Sequence, residues 1–273
     1  MKPTLQTIAA LLMAALSGTA HAQPAAPVHD SFVIQSQRLH EARTINVYLP
    51  PADAAPAHPV LYMPDGGVAE DFPHVAATVD AGIRAGRIAP LLVVGIENTQ
   101  RRRDMTGPTD VDSDRRIAPV VGGSAAFRAF IAEELVPEIE RRYRTTESRG
   151  IIGESLAGLF IVETLFEQPT LFDTWIAFSP SLWWNAAALT RGAGRRLQDM
   201  PALKERVLVA WGDEDNIGPH AQALSDTMRR AALPGLQWQA MPRPDLHHDT
   251  IYSALEATAI ERMYPAVPGD GDH

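Results

Sequence analysis

Apolar and polar residues alternate over 31–35 and 44–49, the pattern of an antiparallel pair with one face exposed. The pattern then changes. Short apolar runs at 59–63, 90–96, 150–152, 174–178 and 206–211 read as buried strands, with a further strand at 236–241. Between them lie stretches of helical spacing at 75–83, 156–165, 186–198, 221–232 and 250–263. Ser124 reads as the N-cap of another helix with Phe127, Phe130, Ile131 and Leu135 on one side, and Pro137 predicts a kink or break in it. Regular strand–helix alternation predicts a single α/β domain, with a mostly parallel central sheet, an antiparallel N-terminal edge and helices on both faces. Such sheets carry their chemistry at the carboxyl ends of the strands.

The ends read differently. Lys2, an apolar Ala-rich stretch at 8–16 and Ala20-His21-Ala22 form the three parts of a secretory signal peptide over 1–22. Residues 23–28 are an Ala/Pro-rich leader expected to be disordered, 29–267 the folded domain, and 268–273 a disordered tail. No other stretch approaches the roughly 20 apolar residues a membrane span needs. The expectation is an exported, periplasmic protein without a membrane span.

Composition narrows the chemistry. The 273 residues include no cysteine, which excludes a thiol nucleophile, a thiolate zinc site and an iron–sulfur cluster. A net charge of −9 gives nothing to hold nucleic acid. Oligomeric state is not written in the sequence.

The most informative segment is Ile151-Ile152-Gly153-Glu154-Ser155-Leu156-Ala157-Gly158-Leu159. An apolar strand runs into a small-x-Ser-x-small turn and then into an apolar helix. This is the arrangement of a nucleophile elbow, in which small flanking residues let a strained turn lift the serine above the sheet. The α/β-hydrolase fold is therefore expected, with Ser155 as nucleophile. Ala157 stands where a second glycine is usual. A serine N-cap on an ordinary helix is the plainer alternative.

A serine hydroxyl needs a base, and in this fold the partners follow in the order Ser, acid, His. The strand at 206–211 opens into Gly212-Asp213-Glu214-Asp215. Asp215 is expected to be the acid, with Asp213 and Glu214 as solvated loop charges. The base is expected at His248, with His247 as the alternative. Zinc needs three or four ligands at organised spacing, which the His-His-Asp cluster does not offer; neither metal nor cofactor is expected. Oxyanion donors are expected at the amides of Gly67, in the Pro64-Asp65-Gly66-Gly67 turn, and of Leu156. Arg101 and Arg103 follow a buried strand and are candidates for holding an anionic substrate group. Trp183 and Trp184 are candidates for a pocket floor or for core.

Four ordered motifs carry a resemblance: residues 61–67, the elbow at 153–159, Ser179-Pro180-Ser181-Leu182-Trp183-Trp184-Asn185, and His248-Asp249-Thr250-Ile251-Tyr252. Together they resemble the esterase family that includes esterase D-like enzymes and the enterochelin and related siderophore trilactone esterases. The resemblance implies a carboxylic-ester hydrolase using Ser155 and His248, with backbone amides near Gly67 and Leu156; it does not fix the small-molecule ester, for which siderophore-type and aromatic acyl esters are the candidates. Some members are thought to work with a weak or absent acid. Glu154 stands where the family often has histidine. An exported acyltransferase and a non-catalytic ligand-binding protein are the alternative readings.

Overall fold

The structure, a computed structural model, describes residues 26–51, 57–200 and 204–266. The expected signal peptide and tail lie outside the described residues, as does the first half of the leader, residues 23–25. Eight strands form one sheet: β1 (His29–Ser36), β2 (Glu41–Tyr48), β3 (His58–Pro64), β4 (Leu92–Ile96), β5 (Thr145–Glu154), β6 (Thr174–Phe178), β7 (Arg206–Trp211) and β8 (Gln237–Pro242). Their spatial order is β1-β2-β4-β3-β5-β6-β7-β8. β1 pairs antiparallel with β2, and β2 antiparallel with β4; every other pairing is parallel.

The residue pattern explains the layers. β4 and β6 are buried along their whole length, as strands covered on both faces must be. Alternate residues of β3 enter opposite cores. Val60 and Tyr62 belong to the same core as residues of the helices Ser124–Phe130, Leu156–Glu167 and Gly218–Ala231, while Leu61 and Met63 belong to the opposite core with residues of Phe72–Arg84 and Ile251–Met263.

Two helices depart from their expected form. Gly123, not Ser124, is the N-cap residue of Ser124–Phe130, and Ser124 is its first helical residue. The helix does break near Pro137, but as a π-helical stretch, Ile131–Leu135, before α-helix resumes at Val136–Arg142. Pro137 has no N–H for the carbonyl of Glu133, and a wider turn absorbs the missing bond. Trp184–Gln198 begins with a left-handed turn, Asn185, Ala186 and Ala187 having φ of 50°, 51° and 59°.

Candidate active site

Ser155 sits between the end of β5 and the helix Leu156–Glu167, at φ 60° and ψ −115°. A non-glycine residue rarely adopts this strained conformation. It is held from both sides: the Ser155 N–H donates to the Phe178 carbonyl at 3.0 Å, and the Ser155 carbonyl accepts from Leu159 and Ser181 at 2.9 and 3.0 Å. Crowding explains the small neighbours. A Cβ on Gly153 would lie 2.7 Å from the Ala157 Cβ, and one on Gly158 would lie 3.0 Å from the Phe178 carbonyl oxygen. Gly158, one place beyond the usual second glycine, is thus the position where β6 approaches.

The imidazole arrives from the segment after β8. His248 Nε2 lies 3.1 Å from Ser155 Oγ, and His248 Nδ1 lies 3.3 Å from Glu214 Oε1. With Nδ1 protonated, the ring donates to the carboxylate and accepts from the serine hydroxyl. The structure therefore brings Ser155 and His248 together as expected, but the carboxylate beside them belongs to Glu214. Asp215 is exposed. The reason lies in how two loops meet. Gly212 packs so closely under Leu246 that a Cβ would approach its carbonyl oxygen to 2.4 Å, and Asp213 N donates to that oxygen at 3.0 Å. The next residues then face each other in order. Asp213 Oδ2 meets His247 Nδ1 at 2.7 Å, and Glu214 meets His248. Asp215 falls beyond this register, as the chain turns toward the helix Gly218–Ala231.

Two serines of the 179–185 motif complete the surroundings. Ser179 is fully buried and its hydroxyl donates to Glu214 Oε1 at 2.7 Å, fixing the carboxylate that faces the imidazole. Ser181 Oγ lies 3.4 Å from Ser155 Oγ. No role was expected for either serine; the signal available was their place after β6, next to the elbow strand.

The oxyanion expectations divide. Leu156 opens its helix, where the first N–H groups have no helical acceptor. The Gly67 amide, by contrast, donates to Glu70 Oε2 at 2.7 Å. Gly66 also has a different reason for being glycine: a Cβ there would lie 2.2 Å from the Gly95 Cα on β4.

The candidate anion-binding arginines are engaged within the protein. Arg101 makes two bonds to Asp65, at 2.6 and 2.8 Å. Arg103 bonds Glu41 through both terminal nitrogens and Asp104 through Nε. Trp184 is buried and its Nε1 donates to the Gly107 carbonyl at 2.9 Å, while half-buried Trp183 tilts against it at 6.0 Å. Trp184 is thus core. Glu154, next to Ser155, has its Oε1 buried without a hydrogen-bond partner among the described residues. Burial pushes its carboxyl up, Asp71 adds to the effect while Arg101 opposes it, and the group reaches about 8. It is neutral at pH 7. Among the described residues no group of three or more His, Asp or Glu could hold a metal ion, and no helix is long and apolar enough to cross a membrane.

Comparison with known proteins follows the same lines. Ferri-bacillibactin esterase BesA of Bacillus subtilis (strain 168) is 36% identical over 169 residues, 54% of this chain and 56% of that protein. Iron(III) salmochelin esterase of Escherichia coli O6:H1 is 24% identical over 223 residues, 75% of this chain and 51% of that protein. The matches thus span about half the length of these relatives. Among solved structures, an IroE-like serine hydrolase from Shewanella oneidensis superposes with a TM-score of 0.79 at 26% identity, covering 87% of this chain and 80% of that one. The BES protein from Bacillus cereus shares the fold, with a TM-score of 0.76 at 20% identity over 86% of this chain and 96% of that one. The family model described as "Putative esterase" matches residues 36–241. That span holds β2 to β7, Ser155 and Glu214, with His248 just beyond it, and the chain belongs to this esterase family.

Proposed function

We propose that this chain is an exported serine esterase that hydrolyses carboxylic esters through an acyl-enzyme on Ser155. One observation carries the reading: a hydrogen-bonded line from Ser155 Oγ through His248 to Glu214, on a strained elbow. His248 Nε2 takes the hydroxyl proton as Oγ attacks the ester carbonyl. The carbonyl C=O opens to an oxyanion, and the Leu156 N–H at the helix start stabilises it. The Gly67 amide joins as second donor when the carbonyl displaces the Glu70 carboxylate. His248 then returns the proton to the departing alcohol; in the second half it takes a proton from the attacking water and gives it to Ser155 Oγ as the acyl–Oγ bond breaks and the acid leaves. Glu214 holds the Nδ1–H tautomer and stabilises the imidazolium in both halves.

The substrates proposed are siderophore-type or aromatic acyl esters. Support comes from the two relatives named for ferri-bacillibactin and iron(III) salmochelin. Because Arg101 and Arg103 are already paired with carboxylates, neither is assigned to substrate binding. The test is labelling by a fluorophosphonate probe, followed by turnover on short acyl, feruloyl and trilactone esters. Labelling lost in Ser155→Ala, with turnover lost alongside, is expected. A folded protein that is neither labelled nor active on any of these esters refutes the reading.

A further inference from the structure

One half-buried cluster of a histidine and two acids takes no part in the chemistry above. His74, on the helix Phe72–Arg84, places Nδ1 2.6 Å from Glu256 Oε2 and Nε2 3.3 Å from Asp71 Oδ1. Thr78 Oγ1 donates to the other Glu256 oxygen at 2.5 Å, and Glu256 is only 5% exposed. Burial pulls the imidazole down, but its hydrogen bonds to Asp71 and Glu256 outweigh that and raise it to about 9. The charged groups facing it are Asp71 from its own helix start and Glu256 from the terminal helix, where Tyr252 also packs on it.

The two carboxylates belong to the two segments that must meet over the substrate. Asp71 closes the loop after β3 that contains Gly67, and its N–H donates to the Asp65 carbonyl at 2.9 Å. Glu256 lies on the helix Ile251–Met263, whose first amide bonds the His247 carbonyl at 2.9 Å, next to His248. An aromatic path runs alongside. The His74 ring meets Tyr252 edge-on at 5.1 Å, Tyr252 stacks on Phe178 at 4.9 Å, and the Phe178 carbonyl holds the Ser155 amide.

A buried ion pair is weak evidence of stabilisation, since an apolar pair of similar volume often serves as well. Its value here is positional. We propose that His74 is a positioning residue: bonded to Asp71 and Glu256, it sets the oxyanion loop against the segment that carries His248. The proposal rests on the esterase reading of Ser155.

Replacing His74 alone leaves Glu256 buried with only the Thr78 hydroxyl and no cationic partner, which threatens folding. The test therefore compares wild type with His74→Leu/Glu256→Leu, which removes both charges, and with Glu256→Gln, which keeps the shape and drops one. Wild type is first labelled with the fluorophosphonate. If it is not labelled, the esterase reading fails, while amide hydrogen exchange over residues 247–251 still tests the link. In the double variant kcat is expected to fall about tenfold with KM nearly unchanged, as misplacement of reacting groups would produce. The same amides are expected to exchange about tenfold faster, since their protection reports local opening. Glu256→Gln should move both quantities in the same directions by less. If a folded variant keeps wild-type exchange at 247–251, or the double variant keeps wild-type kcat in a labelled enzyme, the proposal is overturned.

Discussion

Substituting Gly153 by alanine tests the packing of the elbow directly. The added methyl would lie 2.7 Å from the Ala157 Cβ and 3.4 Å from Ile161 Cδ1. Non-bonded carbons rest about 3.5–4.0 Å apart, so strand and helix must separate by roughly an ångström. Neither methyl can rotate away, because each is fixed to its backbone. Overpacking of this kind costs about 1–3 kcal/mol. Ala157→Gly alone costs up to about 1 kcal/mol for glycine in a helix, but it removes the clash. The double variant should therefore be more stable than the sum of the singles by about 1–2 kcal/mol. Urea unfolding of the four proteins, followed by tryptophan fluorescence, measures that coupling. Activity should track it, since an ångström's displacement of Ser155 reduces kcat by as much as about a hundredfold. Equal cost of Gly153→Ala in both backgrounds would show that the Ala157 methyl is not what demands a glycine there.

Four further outcomes are expected. Glu214→Gln should lower kcat about 10³–10⁴-fold with little change in KM, because the imidazole loses its tautomer and its counter-charge, whereas Asp215→Asn should leave the rate within about twofold; the reverse ranking in ester turnover would restore Asp215. Glu154, next to Ser155 and raised to about 8, gains a negative charge as the pH rises through that value, which opposes the oxyanion proposed above. A pH–rate profile should show kcat/KM falling there in wild type and not in Glu154→Gln. His74 is raised from 6.5 to about 9, so its stabilising contribution is fully present below pH 6.5 and lost as the pH rises through 9. The shift corresponds to on the order of 3 kcal/mol. Urea unfolding at pH 6 and pH 10 should show a larger loss for wild type than for His74→Leu/Glu256→Leu, and a pH-independent difference between them would contradict this. Tyr252 Oη is buried without a hydrogen-bond partner among the described residues, so Tyr252→Phe should raise stability by about 1 kcal/mol; a lower melting temperature would show that the hydroxyl is satisfied.

The parts of this molecule most legible in the sequence are those fixed by short-range pattern. The apolar run Thr174–Phe178 and the run Arg206–Trp211 coincide with β6 and β7, because a strand covered on both faces admits little but apolar residues. The elbow is legible for a similar reason: strand, small-x-Ser-x-small and helix are contiguous. The acid was harder to read. Asp213, Glu214 and Asp215 differ by single positions, and the choice among them depends on Gly212 packing under Leu246, a contact between distant parts of the chain. Arg101 and Arg103 show the same limit. As a string they suggest an anion site, yet Asp65 and Glu41, far upstream, already occupy them. His74 and Glu256 carry no local signal at all, since 182 positions separate them.

The register that delivers Glu214 to His248 also creates a second acid–imidazole couple next door. His247 is 68% exposed where His248 is 42% exposed, and Asp213 raises the His247 imidazole through a hydrogen bond. Acylating reagents attack the neutral ring, so once the pH is high enough to deprotonate His247 they would meet two neighbours of like appearance, His247 the more accessible. Inactivation stoichiometry alone would not tell His247 from His248, and peptide mapping that resolves adjacent positions is needed before such chemistry is read as evidence.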